Sequence, residues 1–190
     1  MKDLILGSFR AFPRAVMEIT VLNSLINPTY ENSYLAVSIL FNMIVIFIAK
    51  TFSKQFSSSY PELIYRPGFV HSSNPKFNYK SDIDNGINKI GMPSGHSSMA
   101  WFLATYFILK LWNKNKNKNN IKNNNLKYLL SVIIILFATS ISISRTDLIE
   151  GCHTYLQVVL GGIFGIIFGL VVYYLKDYIK NKFIKSINKQ

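Results

Sequence analysis

Thr154–Leu175 reads TYLQVVLGGIFGIIFGLVVYYL, twenty-two residues without one formal charge. A helix crossing the hydrocarbon core of a bilayer needs about 20 apolar residues, and this stretch meets that length outright. Working back along the chain, three more apolar blocks appear: Leu126–Ile143 (LKYLLSVIIILFATSISI), Ser97–Trp112 (SSMAWFLATYFILKLW) and Tyr34–Ala49 (YLAVSILFNMIVIFIA). These three are marginal in length and need flanking residues or snorkelling, as Lys110 near a block end could provide. The expectation is an all-α polytopic membrane bundle of about four transmembrane helices. Leu4–Ile26 is apolar in patches but carries Arg10, Pro13, Arg14 and Glu18. It reads as an N-terminal interfacial or re-entrant helix, and the arginines fall where the apolar region of a signal peptide should be. The domain reading is therefore an interfacial segment over 1–33, a membrane domain over 34–175 and a basic cytoplasmic tail over 176–190.

Composition agrees. Of 190 residues, 49% are hydrophobic and 16% charged, too apolar for a disordered chain. The 21 Lys and Arg against 9 Asp and Glu would suggest nucleic acid in a soluble protein. Here the basic low-complexity run Asn113–Asn125 (NKNKNKNNIKNNN) has no aromatic between its lysines, so it reads as a solvated loop and not as a nucleic-acid site. Cys152 is the single cysteine, which excludes an intrachain disulfide and any multi-cysteine zinc site. Asp82 and Asp84 lack the other ligands of a calcium loop and read as loop carboxylates. No metal and no cofactor is expected.

Four crossings put residues 1–33, 113–125 and the tail on one side. With the loop ends, that side holds Lys2, Arg10, Arg14, Lys110, Lys114, Lys116, Lys118, Lys122, Lys127 and five tail lysines. The other side holds Lys50, Lys54, Arg66, Lys76, Lys80, Lys89 and Arg145. Fourteen positive charges against seven make the first side cytoplasmic. All three histidines, His71, His96 and His153, lie on the opposite, lumenal or extracytoplasmic side.

Two segments there carry chemistry. In Gly91–Ser98 (GMPSGHSS), Pro93 and Gly95 turn the chain and Ser94 stands at an N-cap position. The helix that follows aims free N–H groups and its positive dipole end at the turn, a ready anion site with His96 beside it. An ordinary cap with an interfacial histidine is the simpler reading of that piece alone. In Ser144–Gln157 (SRTDLIEGCHTYLQ), Arg145 offers a planar fork of donors to phosphate oxygens. His153 opens the final helix, and Gln157 one turn later can reach its ring. Gly161, Gly165 and Gly169, spaced four apart, form a small-residue stripe for close helix packing, within the monomer or in a homo-oligomer. His71 stands in no motif.

Taken together, a lysine, Arg66-Pro67, Pro93-Ser94-Gly95-His96 and Ser144-Arg145 followed by His153, each beside an apolar helix, resemble the type 2 phosphatidic acid phosphatase superfamily. The resemblance runs from about Lys50 to Gly165, and GMPSGHSSMAWF and CHTYLQVVLGG are most similar to the dolichyl diphosphatase branch. It implies an integral membrane, metal-independent phosphatase acting on a lipid phosphate or diphosphate, such as a polyprenyl or dolichyl diphosphate. It implies His153 as the nucleophile that becomes a phosphohistidine and His96 as the general acid. Arg66, Arg145, Ser94, Gly95 and a lysine would bind the phosphoryl oxygens, and Gln157 would orient His153. The family spaces its lysine closer to Arg-Pro than either candidate here. Lys54 departs less and is taken as the phosphate-binding residue, while Lys50 fits the helix end. The interval from Arg145 to His153 is also longer than usual. Gln157 replaces the more common Asp and is expected in the dolichyl diphosphatase branch; Asp147 and Glu150 are other carboxylates within reach in sequence. If the host is eukaryotic, the endoplasmic reticulum is the expected membrane. Two further readings use the same residues: a lipid headgroup phosphotransferase, and a non-catalytic membrane protein on a decayed phosphatase scaffold.

Overall fold

The computed structural model describes residues 2–66, 90–113, 121–146 and 153–187. Pro67, His71, Asp82, Asp84, Asp147, Glu150, Cys152 and most of the Asn/Lys run lie outside them. Among the described residues the regular elements are all helices. They are α1 (Lys2–Ile26), α2 (Tyr30–Lys54), the single turn α3 (Pro61–Ile64), α4 (Gly95–Asn113), α5 (Ile121–Ser144) and α6 (Tyr155–Ile187). The described residues hold two isolated β-bridges, Tyr65 with Ile90 and Thr146 with His153.

Among the described residues, three helices are long and apolar enough by themselves to cross a membrane: α2, α5 over Asn124–Ser144, and α6 over Tyr155–Lys182. The protein is an integral membrane protein with three such helices where the sequence suggested about four. The block that drops out is α4, whose first turn is the polar Gly95-His96-Ser97-Ser98 and whose last carries Lys110. It is also the helix most enclosed by the others, with Ser97, Ser98, Met99, Ala100, Phe102, Leu103, Ala104 and Tyr106 all buried. Outward-facing Val37, Phe41, Ile44 and Ile48 on α2, and Val132, Ile133 and Leu136 on α5, instead present exposed apolar surface, as lipid contact requires.

Packing is closest between α4 and α6. A Cβ added at Gly161 would overlap the Ser94 carbonyl, and one at Gly165 the Ser98 carbonyl. One at Gly169 would stand 2.9 Å from the Phe102 carbonyl oxygen and 2.8 Å from Thr105 Cβ. The glycine stripe is thus filled by the chain's own α4. Packing within the monomer thus uses the stripe, because small residues let two backbones meet. One apolar cluster joins Ile39, Met99, Phe102, Leu103, Tyr106, Val172 and Tyr173, and a second joins Ala100 and Ala104 to Ala138 and Ile141.

Helix α1 runs unbroken through Pro13 and lays Phe12, Val16 and Met17 against the core, while Arg14 and Glu18 pair at 2.7 Å on its exposed face. Helix α2 starts at Thr29, whose hydroxyl accepts from Asn32 N–H at 3.2 Å. Tyr30 and Tyr34 then donate to the carbonyls of Lys176 and Val172, both at 2.8 Å. Helix α6 continues past residue 176 to Ile187 without a break. At this end of the bundle Lys110 meets Glu31 at 2.6 Å.

Candidate active site

The other end of the bundle gathers the C-terminal turn of α2, α3 with the strand-like Tyr65-Arg66, the N-terminus of α4, the end of α5 and the start of α6. Short local contacts hold them in register. Gly91 N–H donates to the Ile64 carbonyl at 2.8 Å, and Ser94 N–H to the Gln157 carbonyl at 3.0 Å. Ser97 Oγ donates to the Val158 carbonyl at 2.8 Å and lies 3.0 Å from Ser142 Oγ. These bonds bring residues 91–98 together with residues 142–146 and 153–158, distant in sequence, at one place.

His153 and Gln157 are at its centre, 1% and 0% exposed. Gln157 Nε2 donates to the carbonyls of Leu63 and Tyr65, each at 2.9 Å. That fixes the amide, because its two donors are committed and its oxygen must point the other way. Oε1 then accepts from Thr154 N–H at 3.2 Å and lies 3.1 Å from His153 Nδ1. An acceptor there requires a proton on Nδ1, which leaves the lone pair on Nε2. Gly91 makes room for the amide, since a Cβ at that position would overlap Gln157 Oε1.

The charge around this imidazole is positive. Burial holds the His153 pKa well below its ordinary value, and Arg66, Lys50 and Arg145 push it further down; only the bond to Gln157 acts in the other direction. His153 is therefore neutral at pH 7. Lys50 Nζ donates to the Ile90 carbonyl at 3.0 Å, so the last turns of α2 are tied to the segment leading into α4. Lys54, one turn further on, is exposed. Of the two lysines, Lys50 lies near the arginines, and Lys54, the one favoured by spacing, is turned outward. Arg145 is buried at the end of α5 and Arg66 half-buried after α3.

Ser94 occupies the position before α4, but its hydroxyl does not cap the helix. Ser94 Oγ is buried with no hydrogen-bond partner among the described residues. Gly95 is the first residue of α4, and His96 lies half-buried in its first turn. Sequence reasoning missed Leu63, Tyr65, Ile90 and Gly91, which act through backbone groups or through the lack of a side chain. Among the described residues no three His, Cys, Asp or Glu side chains converge as a metal site would.

A family model described as PAP2 superfamily matches residues 33–181. Curated relatives named Dolichyldiphosphatase 1 match over 79 residues, 40% of this chain and 32% of theirs. Those of Homo sapiens and Callithrix jacchus are 38% identical and that of Mus musculus 37%. The matched part is about a third of the relatives' own length. No solved structure is a significant match.

Proposed function

Because the chain belongs to the PAP2 superfamily, a family of phosphatases that supports lipid phosphate hydrolysis as its activity, we propose that it hydrolyses a polyprenyl diphosphate through a phosphohistidine. The observation that carries the proposal is the neutral, buried His153 with its Nδ1 proton held by Gln157 and three cations around it. His153 Nε2 attacks the terminal phosphorus, the bond from phosphorus to the bridging oxygen breaks, and His96 protonates the departing oxygen of the polyprenyl monophosphate. Water then attacks the phosphohistidine with His96 as base, releasing inorganic phosphate and restoring His153. Splitting one displacement into two lowers each barrier.

Phosphoryl transfer asks chiefly for positioning and for neutralisation of the equatorial oxygens. Lys50, Arg66 and Arg145 supply the charge, and the α4 N-terminus at Gly95 supplies N–H donors. The Ser94 hydroxyl, without a partner among the described residues, gains an acceptor when a phosphate oxygen arrives. The proposal needs no metal. Its polyprenyl substrate rests on the likeness to proteins named Dolichyldiphosphatase 1. In the membrane, α2, α4, α5 and α6 are the four crossings, and α1 packs along them, with Phe12 on Phe137 and Ser24 on Ser33, and not flat in the interface as the sequence suggested. The site then faces the lumen or the cell exterior, in the endoplasmic reticulum of a eukaryotic host, with the basic residues after 175 in the cytoplasm.

The test is a rapid acid-free quench of purified protein with terminally labelled polyprenyl diphosphate in EDTA. Acid-labile label on His153, absent from His153→Ala and trapped when His96→Ala slows turnover, is the expected result. Undiminished phosphate release by His153→Ala would falsify the nucleophile.

A further inference from the structure

Beside the catalytic cup a groove of about 300 Å³ runs down between α4, α5 and α6. Its upper rim is made of residues adjoining the site: Thr146, which bridges to His153, and Tyr155, two residues further on. Its walls descend through Thr139 and Ile143 on α5 and through Val159, Ile163 and Ile166 on α6. From Tyr155 to Ile166 a helix climbs about 16 Å, half of a hydrocarbon core about 30 Å thick. The back is Trp101 against Gly162, where a Cβ would stand 3.0 Å from Trp101 Cδ1.

The serine and threonine hydroxyls in this groove are spent on the protein itself. Ser97 and Ser142 bond to one another, and Ser97 to the Val158 carbonyl. Thr139 and Thr146 donate back to the carbonyls of Ile135 and Ile143 at 2.8 and 2.7 Å. What remains is an apolar surface whose outer edge, Val159 and Ile163, is exposed on the membrane-facing side of α6. A second apolar cleft of about 220 Å³ lies between α2 and α6, but its α6 wall begins only at Phe164, more than two turns below Tyr155. The second cleft approaches the site only from the α2 and α4 side, through Ile46 and Ser98, whereas the first groove is rimmed by Thr146 and Tyr155, next to His153 in space and in sequence.

We propose that the groove between α4, α5 and α6 holds the first isoprene units of the substrate's hydrocarbon chain, an inference that rests on the lipid-phosphatase reading. At about 30 Å³ for a water-sized group, the groove takes on the order of ten carbon-sized groups. That is two five-carbon units of one chain, and too little for the paired acyl chains of phosphatidic acid. The groove therefore sets substrate choice by chain number and by the space left below the second unit.

The experiment compares wild type, Ile163→Trp and Thr139→Phe on three substrates: the 5-carbon isopentenyl diphosphate, the 15-carbon farnesyl diphosphate and phosphatidic acid. Both substitutions fill the groove a full turn or more below its rim. A rise of about tenfold or more in KM for the 15-carbon chain is expected, the scale on which an apolar pocket senses one or two carbons, with kcat/KM for the 5-carbon substrate within about twofold. Equal losses on both chain lengths, or none, overturn the inference, as does a selective effect on phosphatidic acid. Wild-type protein gives an independent readout: a diazirine on the second isoprene unit should crosslink to α6 residues 159–166. Crosslinks to residues 167–171 or to Val45 and Ile46 would move the chain to the other cleft and sink the idea. If wild type releases phosphate from no lipid diphosphate, the phosphatase reading fails as well, a result separate from all of these.

Discussion

His153 Nδ1 lies 3.1 Å from Gln157 Oε1, one helical turn apart, and Gln157 is in turn clamped by the carbonyls of Leu63 and Tyr65. The clamp makes glutamine, not a carboxylate, the residue suited to this position. A glutamate at 157 would turn an anionic oxygen towards two carbonyl oxygens and lose both hydrogen bonds. Gln157→Leu loses the same two hydrogen bonds together with the tautomer control, but Gln157→Glu in addition sets a charge against the carbonyls and should therefore lower stability more. We expect kcat to fall on the order of 10²-fold or more in both, as for loss of a residue that holds a catalytic imidazole. Only Gln157→Glu should show its melting temperature falling further than that of Gln157→Leu, and steady-state kinetics beside thermal unfolding in detergent checks this.

The depressed His153 pKa has two consequences of fixed sign. In the unfolded chain this group titrates near 6.5, and in the folded one well below it. Between those values the folded protein binds fewer protons than the unfolded one, so stability rises with pH across the window and is lost as pH falls below about 6.5. The nucleophile likewise stays neutral in mild acid, placing the acid limb of kcat/KM below 6.5. Arg66 is the strongest of the three charges depressing it. Arg66→Gln should move the limb upwards, towards 6.5, besides lowering the rate. A pH profile of kcat/KM for both proteins is the measurement, and a limb that stays put denies the charge coupling.

Much of this site was legible in the sequence because it is written in side chains. Arg145, His153 and Gln157 fall on the end of one apolar block and the start of the next, and Ser94-Gly95-His96 on the start of another. Four alternating blocks bring those ends together. Which lysine stands beside the arginines was not legible, because Lys50 and Lys54 are one turn apart on one helix face and differ only in depth. Spacing to Arg66 favoured Lys54, but the exposed turn after Lys54 and α3 take up the extra residues. The clamp on Gln157 was hidden for another reason: any residue at 63 or 65 offers the same carbonyl. The glycine stripe was readable, but its partner was not, since a stripe fits α4 and a second copy equally well until the helices are assembled.

That difference in depth makes the two lysines separable by function. Lys50→Met should cost about 10²–10³ in kcat, the scale of losing one preorganised charge stabiliser of the transition state. Lys54→Met should leave kcat within about twofold. Vanadate, which imitates the five-coordinate phosphorus, should bind wild type and Lys54→Met alike and Lys50→Met far more weakly. Equal effects of the two substitutions would remove Lys50 from the phosphate site.

Gly91 and Gly165 both lie where a Cβ has no room, yet they should fail differently. At Gly165 the obstacle is backbone, the Ser98 carbonyl with Phe102 N 2.9 Å away, on a rigid helix. Gly165→Ala must push α4 from α6 over their whole contact, at a cost of about 1–3 kcal/mol typical of overpacking. At Gly91 the obstacle is the amide at the tip of the Gln157 side chain, which can swing aside without moving a helix. Gly91→Ala should therefore keep most of its thermal stability while breaking the hold on His153, with kcat falling on the order of 10²-fold. Measuring melting temperature and kcat for the pair separates the cases: Gly165→Ala loses stability first, Gly91→Ala activity first. The reverse order would mean that the Gln157 clamp supports the bundle more than it orients the imidazole.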